Sequence, residues 1–196
     1  MNPVTPHDLT PTRDVPRSIP RPEYVGRPAP KRYTGSDVQP AEVIEKMRIA
    51  GRIAADAMYE AAKAIAPGVT TDRLDAVAHE YMLDHGAYPS ALGYRGFPKS
   101  ICTSVNEVVC HGIPSSDVVL AEGDIVNVDC STILDGYYSD SSRMFCIGAV
   151  DPARGRRQVH GYGRDGLVEE HLFVPRPGST RPDDGWLVGT LLDAAK

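Results

Sequence analysis

The sequence predicts an α/β domain in which two helices pack on a mostly antiparallel sheet. Residues 41–65 and 70–86 carry apolar side chains at three- and four-residue steps, the spacing of an amphipathic helix. Residues 101–113 and 124–145 are predicted to be strands separated by turns, the last two forming a hairpin. A chain of 196 residues is long enough to bury one substantial core.

Composition excludes several classes of protein. A hydrophobic fraction of 41% and a charged fraction of 24% are typical of soluble proteins. The net charge of -5 gives no global attraction to DNA or to an anionic membrane. No apolar run approaches the ~20 residues of a membrane helix and no secretory signal pattern is present, so we expect a cytoplasmic location. The four cysteines have no CxxC spacing and are expected to be reduced thiols.

The first predicted segment, residues 1–39, is a proline-rich basic extension. Residues 1–40 hold nine of the 17 prolines, which prevents a helical ladder, so the segment is expected to be extended or disordered and to bury little. Arg17, Arg21, Arg27, Lys31 and Arg32 make it locally basic. The favoured interpretation is a solvated tail, and the alternative is a docking arm for RNA, a ribosome or a proline-recognising domain.

A half-domain is predicted from residue 40 to residue 153. Its first helix, residues 41–65, has Pro40 in the opening turn and ends before Pro67-Gly68. The predicted apolar face consists of Val43, Met47, Ala50, Ala54, Met58 and Ala61. The second helix begins near Thr70, whose hydroxyl can cap it, and stops at Gly86. Its predicted apolar side consists of Leu74, Val77, Ala78, Tyr81 and Met82.

A loop punctuated by glycine and proline follows at residues 88–100, before the strands begin. A strand is predicted at residues 101–105, a turn at residues 106–107, and a further strand at residues 108–113.

The hairpin that follows allows its register to be predicted. Asp135-Gly136 is a strong two-residue turn, so Leu134 should pair with Tyr137. Continuing outward, Ser131 pairs with Asp140, and Asp129 pairs with Ser142. Alternation then places Asp129 and Asp140 on one face, about 7–8 Å apart at the backbone. Two such carboxylates could bridge metals about 3.5–4 Å apart, whereas the alternative is a solvated hairpin whose aspartates face water.

Four motifs resemble one enzyme family. They are Tyr-Arg-Gly-Phe-Pro-Lys-Ser at 94–100, Asn-Glu-Val-Val-Cys-His-Gly-Ile-Pro at 106–114, Asp-Ile-Val-Asn-Val-Asp at 124–129 and Asp-Ser-Ser-Arg-Met-Phe at 140–145. Residues 21–150 are similar to type I methionine aminopeptidases, which share the pita-bread fold with creatinase and proline dipeptidases. The basic proline-rich extension is similar to that of actinobacterial members.

This resemblance implies a fold, an activity and site residues. The fold would be the N-terminal half of the pita-bread architecture, with helices on a curved, mostly antiparallel sheet. The activity would be removal of the initiator methionine from nascent proteins by two divalent metal ions (cobalt, manganese, iron or zinc). The implied residues are Asp129 and Asp140 as metal ligands, His111 as the substrate-contacting catalytic residue, Tyr94, Phe97 and Cys102 as walls of the methionine pocket, and Asn106 and Val108 as a structural cation loop. The structural alternatives are a satisfied strand-end histidine for His111 and a small core residue for Cys102.

The resemblance stops near Arg154. Residues 154–196 are rich in Arg, Gly and Pro without a sustained period, and are expected to be an aberrant or low-order segment produced by a change of reading frame. The alternative is a genuine divergent tail. Glu169, Glu170 and His171 are not assigned as metal ligands, because adjacent glutamates are more often a solvated pair.

Three functions therefore stay open from the sequence. The first is a methionine aminopeptidase with little or no activity as written, because Asp129 and Asp140 alone are too few ligands. The second is a non-catalytic half-domain that docks on ribosomes or RNA through residues 1–39. The third is a product without function.

Overall fold

The computed structural model describes residues 7–27, 31–36 and 38–150, together with four short strands after residue 165. The chain divides into two compact units, residues 1–150 and 151–196. The first unit contains α1 (Ala41–Lys63), α2 (Thr71–Asp84), β1 (Tyr88–Pro89), a 3-10 turn (Tyr94–Gly96), β2 (Cys102–Val105), β3 (Ile125–Leu134) and β4 (Tyr137–Cys146). Within these described ranges, no helix has the length and apolarity needed to span a membrane.

Both helices were predicted, and their ends have local causes. α2 begins where the Thr70 hydroxyl accepts a hydrogen bond from the Arg73 backbone N–H at 3.2 Å, which caps the first turn. The buried side chains of α1 start at Ala50, so the prediction that Met47 faces the core is wrong: it is 41% exposed. The first turns of α1 extend beyond the part of the helix that packs in the core.

β3 is the central strand of a four-stranded antiparallel sheet. β4 pairs along one side of β3, while β1 and β2 pair along the other. Asp135 and Gly136 have φ values of 51° and 85°, as a type I′ turn requires. The predicted register is confirmed, with Leu134 opposite Tyr137 and Ser131 opposite Asp140.

The strand predicted at residues 108–113 does not form. β2 pairs with β3, and the following residues touch β2 mainly where the Thr103 backbone N–H donates to the Gly112 carbonyl at 2.9 Å. Val109 is 90% exposed, and His111 has a φ of 54°, which is outside the β region. An apolar run without a buried face therefore stays a loop.

The main core lies between the helices and the sheet. One face of β3 presents Val126, Val128 and Cys130, all fully buried against apolar residues of both helices. Burying a side chain such as Val128 contributes on the order of 1.5–3 kcal/mol. The alternating burial along β3 leaves the opposite face, with Asp129 and Ser131, free to build a site.

The expectation that the N-terminal extension buries little is wrong for residues 8–27. This stretch has no helix or strand, yet Val15, Ile19 and Tyr24 are at most 6% exposed and pack against Tyr88 and Ile133. Three apolar side chains spaced along a proline-rich chain are enough to anchor it. We call residues 8–27 and 31–36 the N-terminal arm.

A polar network fixes the same arm to α2. Arg13 forms ion pairs with Asp72 at 2.8 Å and with the fully buried Asp75 at 3.0 Å. Lys99, also buried, donates to Asp72 at 2.6 Å and to the Thr10 hydroxyl at 2.5 Å. Burial raises the pKa of Asp72, but the hydrogen bonds and positive charges of its partners outweigh this effect and lower it.

The second unit contains β5 (Gly166–Val168) paired with β8 (Leu191–Asp193), and β6 (Leu172–Pro175) paired with β7 (Gly185–Val188). These four short strands are the described part of residues 154–196, and the low order expected of that segment stays a prediction. Glu169, Glu170 and His171 lie outside the described residues.

Candidate active site

A cavity of about 1100 Å³ opens beside the hairpin. Strands contribute Cys102, Asp129, Ser131, Tyr138 and Asp140; loops contribute Ser90, Ala91, Tyr94, Arg95, Gly96, Phe97, Pro98, His111 and Ile113; the N-terminal arm contributes Glu23, Tyr24, Lys31, Arg32 and Tyr33. Six of the eight residues singled out from the sequence therefore line one space.

Asp129 and Asp140 form the acidic wall of the cavity. The β3–β4 register and side-chain alternation place them on the same face, as predicted. Asp140 accepts a hydrogen bond from the Ser131 hydroxyl at 3.0 Å. Oδ1 of Asp129 is buried and has no hydrogen-bond partner among the described residues. An acceptor held dry in this way favours a cation or a proton.

The electrostatics of Asp129 agree with its geometry. Burial, followed by repulsion from and hydrogen bonding with the neighbouring Asp140 carboxylate, raises the pKa of Asp129 to about 6. A positive charge on His111 acts in the opposite direction. The metal-free pair is thus an unfavourable concentration of negative charge.

The two carboxylates fit part of a divalent-metal site. Carboxylate oxygens are suitable ligands for manganese, zinc and similar cations, and the free Oδ1 of Asp129 is available to bind one. In the part of the chain that the structure describes, no cluster of three or more His, Cys, Asp or Glu side chains is arranged to hold a metal ion. Ligation of metal by Asp129 and Asp140 stays a prediction, and it would need further ligands beyond these two.

His111 reaches the cavity from a constrained loop. Its φ of 54° is unusual for a residue with a Cβ. The next residue is Gly112, whose N–H donates to the Ser104 hydroxyl at 3.1 Å and whose carbonyl accepts from Thr103. A Cβ on Gly112 would overlap the Thr103 carbonyl oxygen, so only glycine permits this close approach to β2.

Aromatic and apolar side chains line other parts of the cavity. The ring of Tyr94 packs edge-on against Tyr24 with centroids 5.4 Å apart, and Phe97 lies at the end of the same turn. Cys102 is 8% exposed, and burial together with the charges of the two aspartates raises its pKa to about 12. Its thiol is therefore neutral, and its role as a wall of a methionine pocket stays a prediction.

Asn106 and Val108 lie outside the cavity, in the turn after β2. The Asn106 side chain donates to Asp124 at 2.8 Å and accepts from the Ile125 N–H at 3.2 Å. These bonds connect the turn to the start of β3. A structural cation bound by this loop stays a prediction.

Sequence reasoning assigned no role to several residues of the cavity. Ser131 was placed on the correct face but given no function, and Tyr138 was not singled out. Lys31, Arg32 and Tyr33 were missed because the arm was expected to be solvated. The sequence signal for these residues was the alternation of basic and aromatic residues with prolines. That pattern does not show that the arm folds back onto the cavity.

Comparison with known proteins identifies the family. Residues 45–165 match the model of metallopeptidase family M24. The chain belongs to metallopeptidase family M24. The match extends beyond residue 154, where the sequence motifs end.

The relatives of this M24 chain include several methionine aminopeptidases. Methionine aminopeptidase 2 of Mycobacterium tuberculosis is 59% identical over 147 residues, covering 75% of this chain and 51% of the relative. The methionine aminopeptidase of Rickettsia prowazekii is 43% identical over 145 residues, covering 73% of this chain and 54% of the relative. The M24 chain thus spans about half the length of the curated relatives it matches.

Solved structures show the same relationship. The R. prowazekii methionine aminopeptidase matches with a TM-score of 0.58 at 47% identity, covering 60% of this chain and 48% of that one. Aminopeptidase P from E. coli matches with a TM-score of 0.51 at 26% identity, covering 59% and 25%. These neighbours confirm the predicted N-terminal half of the pita-bread fold.

Proposed function

We propose that this chain provides the aspartate half of a methionine aminopeptidase site, which removes N-terminal methionine from nascent peptides with two divalent metal ions. The observation that carries the proposal is the placement of Asp129 in the cavity: its buried, partnerless oxygen lies beside Asp140, near His111 and an apolar wall. Kinship with the methionine aminopeptidases supports the assignment. The cytoplasmic location expected from the sequence is part of the proposal.

Each wall of the cavity has a task in this reaction. Asp129 and Asp140 would hold the metal, which when bound polarises the scissile carbonyl and acidifies a water molecule. His111 would hydrogen-bond the substrate amide or the developing oxyanion, worth a few kcal/mol when the donor is preorganised. Tyr94, Phe97 and Cys102 would surround the unbranched thioether side chain of methionine and keep water away from it.

Metal binding is the most direct test. We expect manganese or cobalt to bind weakly, because the described residues supply two carboxylate ligands. In calorimetric titrations, Asp129→Asn should abolish this binding, whereas Asp56→Asn, the same change at an exposed position of α1, should leave it unaltered. Equal affinity in wild type and Asp129→Asn would overturn the proposed metal site.

Turnover is the second test. The chain alone is expected to release methionine from a Met-Ala-Ser peptide slowly or not at all, because two carboxylates leave the metal under-coordinated. Mass spectrometry of the products, with manganese or cobalt added, measures this. Release at a rate typical of enzymes, about 10 per second, would show that other groups of the chain complete the site.

A second candidate function, docking on ribosomes or RNA, is favoured by the arm. Arg17, Arg21 and Arg27 are exposed, while Val15, Ile19 and Tyr24 hold the segment in place. Fixed, exposed cations suit a phosphate backbone. Arg17→Glu combined with Arg21→Glu should weaken co-sedimentation with ribosomes, whereas Arg48→Glu with Arg52→Glu on α1 should not. Equal effects of the two pairs would show that net charge alone is responsible.

A further inference from the structure

The arm and a loop place positive charge at the mouth of the cavity. Lys31 and Arg32 of the arm and Arg95 of the 3-10 turn all line the cavity and are all exposed. Asp129 and Asp140 line another part of it. We call Lys31, Arg32 and Arg95 the basic rim. The cavity lining therefore combines the two hairpin aspartates and Glu23 with the three cations of the basic rim.

Hydrogen bonds made by the N-terminal arm hold the Lys31 end of the basic rim in position. Tyr24 is 2% exposed and its hydroxyl donates to the Ser90 carbonyl at 2.5 Å, which fixes the arm against the loop after β1. The Glu23 carboxylate then accepts from the Lys31 backbone N–H at 2.7 Å and from Arg27 at 3.2 Å. These bonds hold Lys31 beside Glu23 at the cavity. The ion pair with Arg27 offsets part of the Glu23 charge next to the rim.

Arg95 is fixed by the opposite loop. Its φ of 49° lies in the left-handed region, between Gly93 and Gly96 with φ values of 79° and 83°. This tight turn directs the guanidinium over the Tyr94 ring, 5.6 Å from the ring centroid. Tyr94 in turn contacts Tyr24, so this pair of aromatic rings links Arg95 to the N-terminal arm.

The cavity is large enough to hold more than one residue of a peptide. A volume of about 1100 Å³ is at the upper end of the ~300–1,000 Å³ typical of small-ligand pockets. An extended peptide advances about 3.3 Å per residue, so a chain whose N-terminal residue lies at the aspartates continues toward other walls of the cavity.

We infer that the basic rim selects peptides that carry acidic side chains a few residues after the N-terminal methionine. This inference rests on the proposed function, because it assumes that the N terminus of the peptide lies at Asp129 and Asp140. Lys31, Arg32 and Arg95 act as specificity determinants that attract downstream carboxylates and repel downstream cations. Because the rim is solvent-exposed, its effect is strongest at low ionic strength.

Peptide binding tests the inference without requiring turnover. Two peptides with a fluorescent label at the C terminus, Met-Ala-Ser-Glu-Glu and Met-Ala-Ser-Lys-Lys, are titrated with the full chain in EDTA and followed by anisotropy. We expect the acidic peptide to bind about fivefold more tightly at low salt, as two or three exposed charge pairs allow, and this preference to shrink as salt is added.

Two variants separate the rim from the total charge of the protein. Lys31→Glu combined with Arg32→Glu should remove or reverse the preference for the acidic peptide. Arg48→Glu combined with Arg52→Glu changes the charge equally at exposed positions that do not line the cavity, and should preserve it. The inference is overturned if the rim variant discriminates like wild type, if both double variants lose the preference alike, or if the acidic peptide does not bind.

The outcome is independent of the metal test. Should Asp129→Asn leave metal affinity unchanged while the rim variant loses the peptide preference, the proposed aminopeptidase site fails and the basic rim stands only as a binding site for acidic peptides. In the opposite case, metal binding depends on Asp129 but the charge of the peptide tail does not change peptide affinity. That result overturns the inference about the basic rim and leaves the proposed metal site unaffected.

Discussion

At the scale of single residues, Asp129 combines a candidate function with a cost in stability. The half-buried Asp129 side chain lies beside Asp140, and its buried Oδ1 has no hydrogen-bond partner among the described residues. In Asp129→Asn the charge repulsion disappears and the new amide can donate to Asp140. We expect the metal-free variant to unfold at a higher temperature than wild type, by an amount corresponding to about 1 kcal/mol.

Differential scanning fluorimetry in EDTA measures the stability without metal, and the same measurement in manganese shows the stabilisation by metal binding. Manganese should raise the melting temperature of wild type and not that of Asp129→Asn, because a ligand stabilises only the state it binds. Asp56→Asn on the exposed side of α1 is the control and should follow wild type in both buffers. A lower melting temperature for Asp129→Asn in EDTA would contradict the argument.

Gly112 is the second residue with a sharp prediction. A methyl group there would overlap the Thr103 carbonyl oxygen, so Gly112→Ala must displace the loop that carries His111. We expect a loss of about 1–3 kcal/mol in urea unfolding, the usual cost of overpacking. Gly51→Ala in α1 is the matched control, since its Cβ would meet Ser139 only at 4.0 Å. That variant should gain up to about 1 kcal/mol, as expected for Gly→Ala in a helix. Equal stability of Gly112→Ala and wild type would show that the loop adapts.

The same residues show what could be predicted locally. Asp129 and Asp140 were correctly placed on one face because a two-residue turn fixes the register of a hairpin over its whole length. His111 was assigned to a strand because its neighbours are apolar and β-branched. Its positive φ depends on the contact of Gly112 with β2, which is remote in sequence and has no local signature.

At the scale of elements, the N-terminal arm behaves as a docked element without regular secondary structure. Ile19 is 6% exposed and belongs to the cluster of Val15, Tyr24, Tyr88 and Ile133. Ile19→Ala should therefore cost roughly 2–5 kcal/mol, the range for truncating a buried aliphatic side chain. Leu9→Ala, at a position in the same arm that is 41% exposed, should change stability by less than about 0.5 kcal/mol.

Urea unfolding followed by circular dichroism measures both variants. Similar small effects at the two positions would show that the arm does not contribute to the stability of the fold. The helices and the hairpin were predictable because the pattern of apolar residues that defines each one lies within its own segment of the sequence. The docking of the arm was not, since proline content reports the absence of a helix but not the presence of three apolar anchors.

At the scale of the whole first unit, His79 connects the arm, α2 and the loop before β2. Its Nε2 lies 3.1 Å from the Asp14 carbonyl and its Nδ1 lies 2.7 Å from the Ser100 hydroxyl. Burial lowers the pKa of His79, and the hydrogen bond to Asp14 and the charge of Asp75 only partly oppose this effect. The neutral ring, donating to Asp14 and accepting from Ser100, satisfies both neighbours. A charged ring would lose its hydration at this buried position, so the neutral form is favoured.

The direction of the pH dependence follows from this lowered pKa. Below about pH 6.5 the unfolded chain binds a proton at His79 that the folded chain does not, so the free energy of unfolding should fall as the pH decreases from 6.5 toward the folded pKa. Above that window the contribution is complete. Urea unfolding of wild type between pH 5 and 8 measures the slope. His79→Gln, which keeps hydrogen-bonding atoms but cannot titrate, should flatten it, whereas His85→Gln at the exposed end of the same helix should keep it. If the free energy of unfolding changes with pH equally in wild type and His79→Gln, other groups cause the acid sensitivity. The contact of His79 with the arm would then be independent of pH.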